Sequence, residues 1–211
     1  MKHVAIWLAL LCGVVWLGVA QPALAQDEFD EGAPAAEAED EGQKLPKTFD
    51  EFVEQHKELG KTPQGASKSF LDSLFVYMNP DTREEGRKMI HFIVIEYKTG
   101  DRPFEQRANS QILAERLRDP DMAYIFHSYV MGTSPENQYK FDLNNYEVNI
   151  EKSNEGGPYG YQCWWRSTGA DSARAISFKK SNQSGLWYVA DWTGLPSMVR
   201  KPIDPDVETF E

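Results

Sequence analysis

The spacing of apolar residues changes once along this chain, from a helical period in the first half to a strand-like alternation in the second. Across 67–78, apolar side chains recur three and four positions apart, which predicts an amphipathic helix. Across 145–151 they alternate with polar residues, which predicts a half-exposed strand. Helices followed by strands indicate an α+β fold, with the helices packed on one face of the sheet.

Start and stop signals place four helices before residue 120. The predicted ranges are 48–60, opened by the capping pair Thr48 and Glu51, then 67–78, 81–98 and 107–118. Residues 63–65 are predicted to be a loop. The apolar run 89–97 is consistent with a buried strand or a buried helix, and the Asp81–Glu84 capping pattern favours the helix. Segment 122–130 is left open between helix and strand.

Four strands are predicted after residue 140. Turn signals separate them into 145–151, 159–167, 174–180 and 186–192. The short connections imply an antiparallel meander. Strand alternation places Trp164 and Trp165 on opposite faces, and likewise Trp187 and Trp192. The second aromatic face is then either open to a ligand or covered by segment 122–130, and we favour coverage.

The two ends of the chain are predicted to lie outside this domain. Residues 1–25 resemble a signal peptide, with a short basic start, an apolar run and the small-x-small pattern Ala23-Leu24-Ala25. The alternative is a retained membrane-spanning helix. Residues 26–47 are predicted to be a disordered acidic spacer, 48–204 a single α+β domain, and 205–211 a C-terminal tail. The protein is therefore expected to be exported, periplasmic or secreted, without a stable membrane span after cleavage.

Most of the negative charge belongs to the spacer. Residues 26–43 contain no Lys or Arg and eight acids: Asp27, Glu28, Asp30, Glu31, Glu37, Glu39, Asp40 and Glu41. The remaining residues, 44–211, carry 25 acids against 21 basic residues, a net charge of −4. No basic stripe indicates a nucleic-acid partner. An acidic arm that binds cations or a basic partner is the sharper alternative to a solvated spacer.

The second half of the chain resembles a known family. Its landmarks are SPENQY at 134–139, STGADSARAISFKK at 167–180, the Trp187–Trp192 motif WYVADW, and VRKP at 199–202. In this order they resemble an uncharacterised bacterial family of exported proteins, a domain of unknown function, over about 62–202. The resemblance implies no activity, cofactor or catalytic residue. Helices followed by a sheet that ends in a tryptophan-containing strand also resemble the cone-shaped fold of nuclear transport factor 2-like proteins.

No catalytic, metal or cofactor site is predicted. The chain has neither a phosphate-binding loop nor a G-x-S-x-G elbow. Beyond the leader, the histidines His56, His91 and His127 do not pair at zinc-ligand spacing, and His91 and His127 are expected to be hydrogen-bonded and partly buried. Cys163 is the only cysteine after the leader, which leaves no intramolecular disulfide, and we expect a buried, inert thiol.

Three residues are the candidates for ligand binding: Asp171, Arg174 and Trp192. Asp171 and Arg174 follow the Gly169 turn, where a loop can hold them together at the rim of the sheet. The structural alternative is that Asp171 shapes the turn, and that Arg174 begins a strand and pairs with Asp171 at the surface. We therefore predict a non-catalytic binding or structural module of the envelope, with an unknown protein or small-molecule partner. The alternative is a small cone-like enzyme or ligand carrier with a pocket between helices and sheet.

Overall fold

The structure, a computed structural model, describes residues 44–100 and 102–204, which belong to one compact unit. The predicted signal peptide, residues 26–43 of the predicted spacer and the predicted tail 205–211 lie outside the described residues. Leu45 and Pro46 belong to the predicted spacer, yet Leu45 packs against the core and Pro46 is buried. The packed part of the chain therefore extends N-terminal to Thr48.

Helices occupy the first part of the described chain. The α-helices are α1 Phe49–Leu59, α2 Pro63–Met78, α3 Arg83–Ile93, α4 Gln111–Arg118 and α5 Tyr124–His127, and short 3-10 turns include Ile95–Lys98 and Ala108–Ser110. None of the helices in the described ranges is long and apolar enough to cross a membrane. The capping box that opens α1 is confirmed, because the Thr48 hydroxyl accepts from the Glu51 N–H and the Glu51 carboxylate accepts from the Thr48 N–H.

Helix α2 begins earlier and is buried more completely than its sequence pattern predicts. The Thr62 hydroxyl caps the helix by accepting from the Gly65 N–H at 3.0 Å. Pro63 occupies the first helical position, where a missing N–H costs nothing. The predicted loop at 63–65 is therefore wrong. Of the 16 residues of α2, 12 are buried, so the helix packs on almost all sides rather than on one face.

The run 89–97 is helical only to Ile93. Val94 is extended and forms a parallel bridge with Val189 at the edge of the sheet, and the chain then continues as the 3-10 turn Ile95–Lys98. The Val94 N–H still donates to the Ile90 carbonyl at 3.0 Å, and the Val94 carbonyl accepts from the Tyr97 N–H at 3.1 Å, so the chain passes directly from the helix into the 3-10 turn. The predicted cap at Asp81 is wrong, since Thr82 occupies the N-cap without a side-chain bond.

The fourth helix is shorter than the predicted helix 107–118, and fewer of its apolar side chains are buried than its pattern predicts. Helix α4 starts at Gln111, after a 3-10 turn, and buries Leu113 and Leu117. The helical pattern at 107–118 also predicts burial of Ile112, which is instead 58% exposed. Segment 122–130 contains the short helix α5 and ends at Val130, which bridges to Val148.

The sheet confirms the predicted meander and the α+β class. The strands are β1 Ile150–Glu155, β2 Tyr161–Trp165, β3 Arg174–Lys180 and β4 Trp187–Asp191. They lie in the order β1-β2-β3-β4, and each neighbouring pair is antiparallel. Strand β1 starts later than its alternating pattern predicts. Tyr146 and Val148 are buried ahead of it, and Val148 makes only the single bridge.

An irregularity between β3 and β4 changes which face the tryptophans occupy. Ser177 lies opposite Asp191, whereas the next residue, Phe178, lies opposite Val189. The extra residue in β4 reverses the alternation. Trp192 is consequently buried in the core beside Tyr97, and Trp187 packs against Tyr161 on the same face. The prediction that Trp187 and Trp192 lie on opposite faces is wrong.

The other face of the sheet is largely polar. Its central row crosses the four strands through Asn154, Gln162, Ser177 and Asp191. Trp164 also lies on this face, partly exposed, with the Lys152 ammonium 4.6 Å from its ring.

Segment 122–130 does not cover this face. Tyr129 instead contacts Trp165, which packs against Phe70 of α2 on the helix side. The expected coverage of the second aromatic face is therefore wrong.

Burial makes Trp192 a determinant of stability. We expect Trp192→Ala to lower the free energy of unfolding by about 3–5 kcal/mol, because it opens a cavity beside Tyr97. Trp164→Ala, on the polar face, is the matched control and should cost clearly less. Urea unfolding followed by circular dichroism measures both, and equal losses would contradict the burial of Trp192.

Candidate functional site

Two of the three sequence-predicted site residues line one groove. Asp171 and Arg174 border a groove of about 420 Å³ together with Arg200 and the exposed Met198. Trp192 is not brought to this groove and is only 2% exposed.

The predicted surface pair of Asp171 and Arg174 is wrong, because Asp171 pairs with Arg200. Arg174 instead donates to the carbonyl and the hydroxyl of Ser172, each at 2.7 Å. Whether the groove binds a ligand stays a prediction.

Hydrogen bonds between three distant segments build this groove. The Arg200 N–H donates to the Gly169 carbonyl at 2.7 Å, and the Tyr139 hydroxyl donates to the Arg200 carbonyl at 2.7 Å. The Ile203 N–H donates to the Pro135 carbonyl at 2.9 Å. A Cβ at Gly169 would overlap the Tyr139 hydroxyl, so this position requires glycine. These contacts anchor the C-terminal segment, which accounts for the groove without a ligand.

A second and larger depression lies where α1, α3 and the 3-10 turn Ile95–Lys98 meet β4. It consists of three adjoining hollows of about 600, 400 and 690 Å³. Phe92 lines two of them, Lys98 lines two, and Tyr188 lines two, so the hollows meet around these three side chains. We call this surface the lysine–aromatic face.

The lysine–aromatic face collects positive charge although the protein is acidic. Seven cationic side chains line the hollows: Lys57, Lys61, Arg87, Lys88, Lys98, Lys179 and Lys180. No Asp or Glu of the described ranges is among the lining residues. Within those ranges, Lys98, Lys179 and Lys180 form no ion pair, whereas the helix cations pair with acids at i−3. Apolar walls of low dielectric constant strengthen the positive electrostatic potential that these unpaired lysines create.

Lys98 occupies the centre of this face. Its ammonium lies 3.3 Å from the centre of the Tyr188 ring and 4.9 Å from that of Phe92, which is cation–π geometry. Desolvation lowers the pKa of Lys98 to about 8. Part of its population is therefore uncharged just above neutral pH.

The aromatic floor beneath Lys98 is rigid. Phe92 contacts Phe49, Phe52 and Tyr188 edge-on, with ring centres 5.8 to 6.0 Å apart. His56 is fully buried against Phe92, and its Nδ1 lies 2.9 Å from the Ser69 hydroxyl. Desolvation, with a contribution from the Lys98 charge, lowers the pKa of His56 to about 4. The histidine is therefore neutral at physiological pH and belongs to the apolar floor.

Arg87 is held in the wall of the face by a carboxylate with little solvent access. Its Nε donates to Glu105 at 2.6 Å, and the Tyr77 hydroxyl donates to the same oxygen at 2.9 Å. The Glu105 side chain is only 5% exposed. Glu84 pairs with the Arg87 Nη1. Two carboxylates therefore fix Arg87 and neutralise most of its charge, so the net positive charge comes from the lysines.

The other two histidines of the described ranges, His91 and His127, are both partly buried. The His91 Nε2 accepts from the Phe104 N–H at 3.0 Å, so the lone pair of the neutral ring is occupied. His127 packs its ring between Phe75 and Phe141, and desolvation lowers its pKa to about 4. His91 is therefore hydrogen-bonded and partly buried, as expected.

Cys163 is fully buried, as predicted, and desolvation raises the pKa of its thiol to about 11. Such a thiol is protonated at physiological pH and does not act as a nucleophile. Across 44–100 and 102–204, no three His, Cys, Asp or Glu side chains are grouped so that they would hold a metal ion.

Comparison with known proteins places the chain in a family. A family model matches residues 44–203. The chain belongs to the family described as "Domain of unknown function (DUF6935)". The DUF6935 match begins at Lys44, so it includes Leu45 and Pro46 at the start of the packed chain. No curated protein and no solved structure matches the chain.

Sequence reasoning missed the lysine–aromatic face altogether. Its residues come from four separate segments, and none of them forms a motif. The one signal in the sequence was that lysines lie close to aromatic residues. Lys98 follows Tyr97, and Lys179 and Lys180 precede Trp187 and Tyr188. Only the packing of α1 and α3 against β4 brings these segments together in the DUF6935 domain.

Lys98 should be the most reactive lysine on this surface near pH 8. At that pH we expect a limiting amount of an N-hydroxysuccinimide ester to acylate Lys98 about fivefold or more faster than the exposed Lys140, because its lowered pKa leaves more free amine. Peptide mass spectrometry measures both rates. Equal rates of acylation at the two lysines would contradict the prediction.

Proposed function

We propose that this DUF6935 protein is an exported, non-catalytic binding module that holds an anionic ligand on its lysine–aromatic face. The observation that carries the proposal is the set of three adjoining hollows that meet at Phe92, Lys98 and Tyr188, lined by seven cations and by no Asp or Glu of the described ranges. A surface on which three neighbouring lysines, Lys98, Lys179 and Lys180, have no acidic partner within the described ranges favours negatively charged molecules.

The apolar residues beneath the lysines limit the class of ligand that fits this face. Phe49, Phe92, Leu186 and Tyr188 offer apolar and aromatic surface beneath the lysines. A ligand that combines an anionic group with an aromatic or aliphatic body can contact both the lysines and the apolar floor. The anionic group would pair with Lys98, Lys179 or Lys180, and the apolar body would bury surface against Phe92.

The occupied lone pair of His91 supports binding rather than catalysis. A general base needs a free lone pair within reach of the substrate, and the Nε2 of His91 already accepts from Phe104. The alternative of a ligand carrier with a pocket between helices and sheet uses the same surface. The hollow of about 690 Å³ is bordered by Val53 of α1, Phe92 of α3 and Tyr188 of β4.

The leader supports export from a bacterial cell. Residues 1–25 combine a basic start, an apolar run and Ala23-Leu24-Ala25 before Gln26. The free Cys163 is buried, so the domain exposes no thiol there to an oxidising compartment. A soluble envelope protein that collects an anionic ligand is the function that combines these features.

The ligand proposal is tested with a simple aromatic anion. We expect 2-naphthalenesulfonate to bind more tightly than the uncharged 2-naphthol in isothermal titration calorimetry at pH 7. The combined substitution Lys98→Gln, Lys179→Gln and Lys180→Gln should weaken sulfonate binding about tenfold, which corresponds to about 1.4 kcal/mol.

The control is a triple variant with the same change in net charge, made at lysines outside the lysine–aromatic face. Lys140→Gln, Lys152→Gln and Lys201→Gln together lie outside the hollows and should leave the affinity unchanged. Equal losses in the two triple variants would show that only overall charge matters. Failure of the sulfonate to bind, or equal binding of 2-naphthol, would refute the proposed ligand class.

Export is tested by the mass of the product. When the full chain is expressed in a bacterium, we expect the periplasmic or secreted protein to begin at Gln26, which intact-mass spectrometry detects. Ala23→Phe with Ala25→Phe should block cleavage, because the site requires small side chains. A cytoplasmic protein of full-length mass would contradict the prediction.

A further inference from the structure

The lysine–aromatic face has a complementary partner within the same chain. We propose that residues 26–43 bind to this face and compete there with external anions. The inference rests on the face described for the proposed function and concerns its regulation.

Charge complementarity is the first argument. Residues 26–43 carry eight acids without a Lys or Arg, whereas the hollows are lined by seven cations without a described acid. Lys98, Lys179 and Lys180 have no ion pair within the described ranges, so carboxylates brought to them would not have to displace an existing partner. The helix cations Lys57 and Lys88 pair with acids only at the surface, where such pairs contribute little and exchange readily.

The attachment point of the segment is the second argument. The described chain begins at Lys44, whose carbonyl accepts from the Gln55 side chain of α1 at 3.0 Å, and Leu45 packs against the core. Helix α1 itself supplies Val53, Lys57 and Lys61 to the face. The segment therefore enters beside the helix that forms one wall of its proposed site.

The length of the segment is sufficient. Its 18 residues can span up to about 60 Å when extended. Helix α1 has 11 residues and is about 16 Å long, so the extended segment is more than three times as long as the helix beside which it enters.

Tethering favours this occupant over a free anion. A short tether gives an effective concentration in the millimolar range, so even weak ion pairs fill the site. The segment also contains Phe29, which can contact the aromatic floor. An external ligand must displace the segment, and salt should weaken the segment's own binding because screened, exposed charges dominate it.

Paramagnetic NMR tests the contact directly. The chain 26–211, the product of the predicted cleavage, receives a nitroxide at Ala35→Cys, while the buried Cys163 stays unlabelled. We expect broadening of the amide signals of Phe92, Lys98 and Lys180, with little effect on Leu143 or Ser197. Changing all eight acids to Asn or Gln in the full 26–211 chain should abolish the broadening.

Three outcomes would overturn the inference. They are no selective broadening, broadening centred outside the face, and broadening that appears only between molecules. The last is measured by mixing labelled chains of natural isotope abundance with ¹⁵N chains that carry no nitroxide, and it would assign the contact to a second copy.

Titration with 2-naphthalenesulfonate separates this inference from the proposed function. If both hold, the acid-neutralised chain should bind the sulfonate about threefold or more tightly than the original at low salt. Equal affinity in the two chains would refute the docked segment and leave the ligand site intact. Selective broadening without sulfonate binding to either chain would refute the proposed ligand class and leave the docked segment intact.

Discussion

Helix α2 is buried on nearly every side, and this burial constrains the rest of the fold. Polar groups inside a protein must find partners, because water is not available to them. The polar side chains of α2 do so by bonding to three other parts of the chain. These bonds join Trp165 Nε1 to Ser67 Oγ at 3.2 Å, His56 Nδ1 to Ser69 Oγ at 2.9 Å, and the Tyr146 hydroxyl to Asp72 at 2.6 Å.

The bonds of α2 fix the sheet, α1 and the segment before β1 in their positions. Burying the charged Asp72 carboxylate is unfavourable, because desolvation raises the pKa of its carboxyl. The ion pair with Lys68 opposes that shift. With α1 and α3 held against α2, Phe92 meets Tyr188 of β4 and Lys98 comes to lie above both. The lysine–aromatic face is thus a consequence of how the buried helix places its neighbours.

Local signals predicted the elements whose ends are set locally. The capping box at Thr48 and Glu51 and the strand Arg174–Lys180 were predicted correctly, because each depends on residues adjacent in sequence. Elements whose ends depend on distant contacts were misjudged. Helix α3 stops at Ile93, and the next residue, Val94, forms a bridge with Val189. The extra residue between Val189 and Asp191 reverses the alternation from which the face of Trp192 was predicted.

The candidate groove, too, was only partly predictable from the sequence. Asp171 and Arg174 were found because they follow a recognisable turn, and the structure places both in one groove. Their partners, Arg200 for Asp171 and Ser172 for Arg174, were not predicted, since the C-terminal segment returns to the turn only in three dimensions. Lys98 was not predicted as a site residue, because the aromatic rings around it come from α3 and β4.

The sequence by itself determined the order of helices and strands, the antiparallel meander and the separation of an acidic segment from a nearly balanced domain. These features depend on periodicity and composition, which are local properties. The tertiary structure alone decided which tryptophans are buried and where positive charge collects. Both depend on packing between segments far apart in the chain, because burial and electrostatic fields are set by neighbours in space.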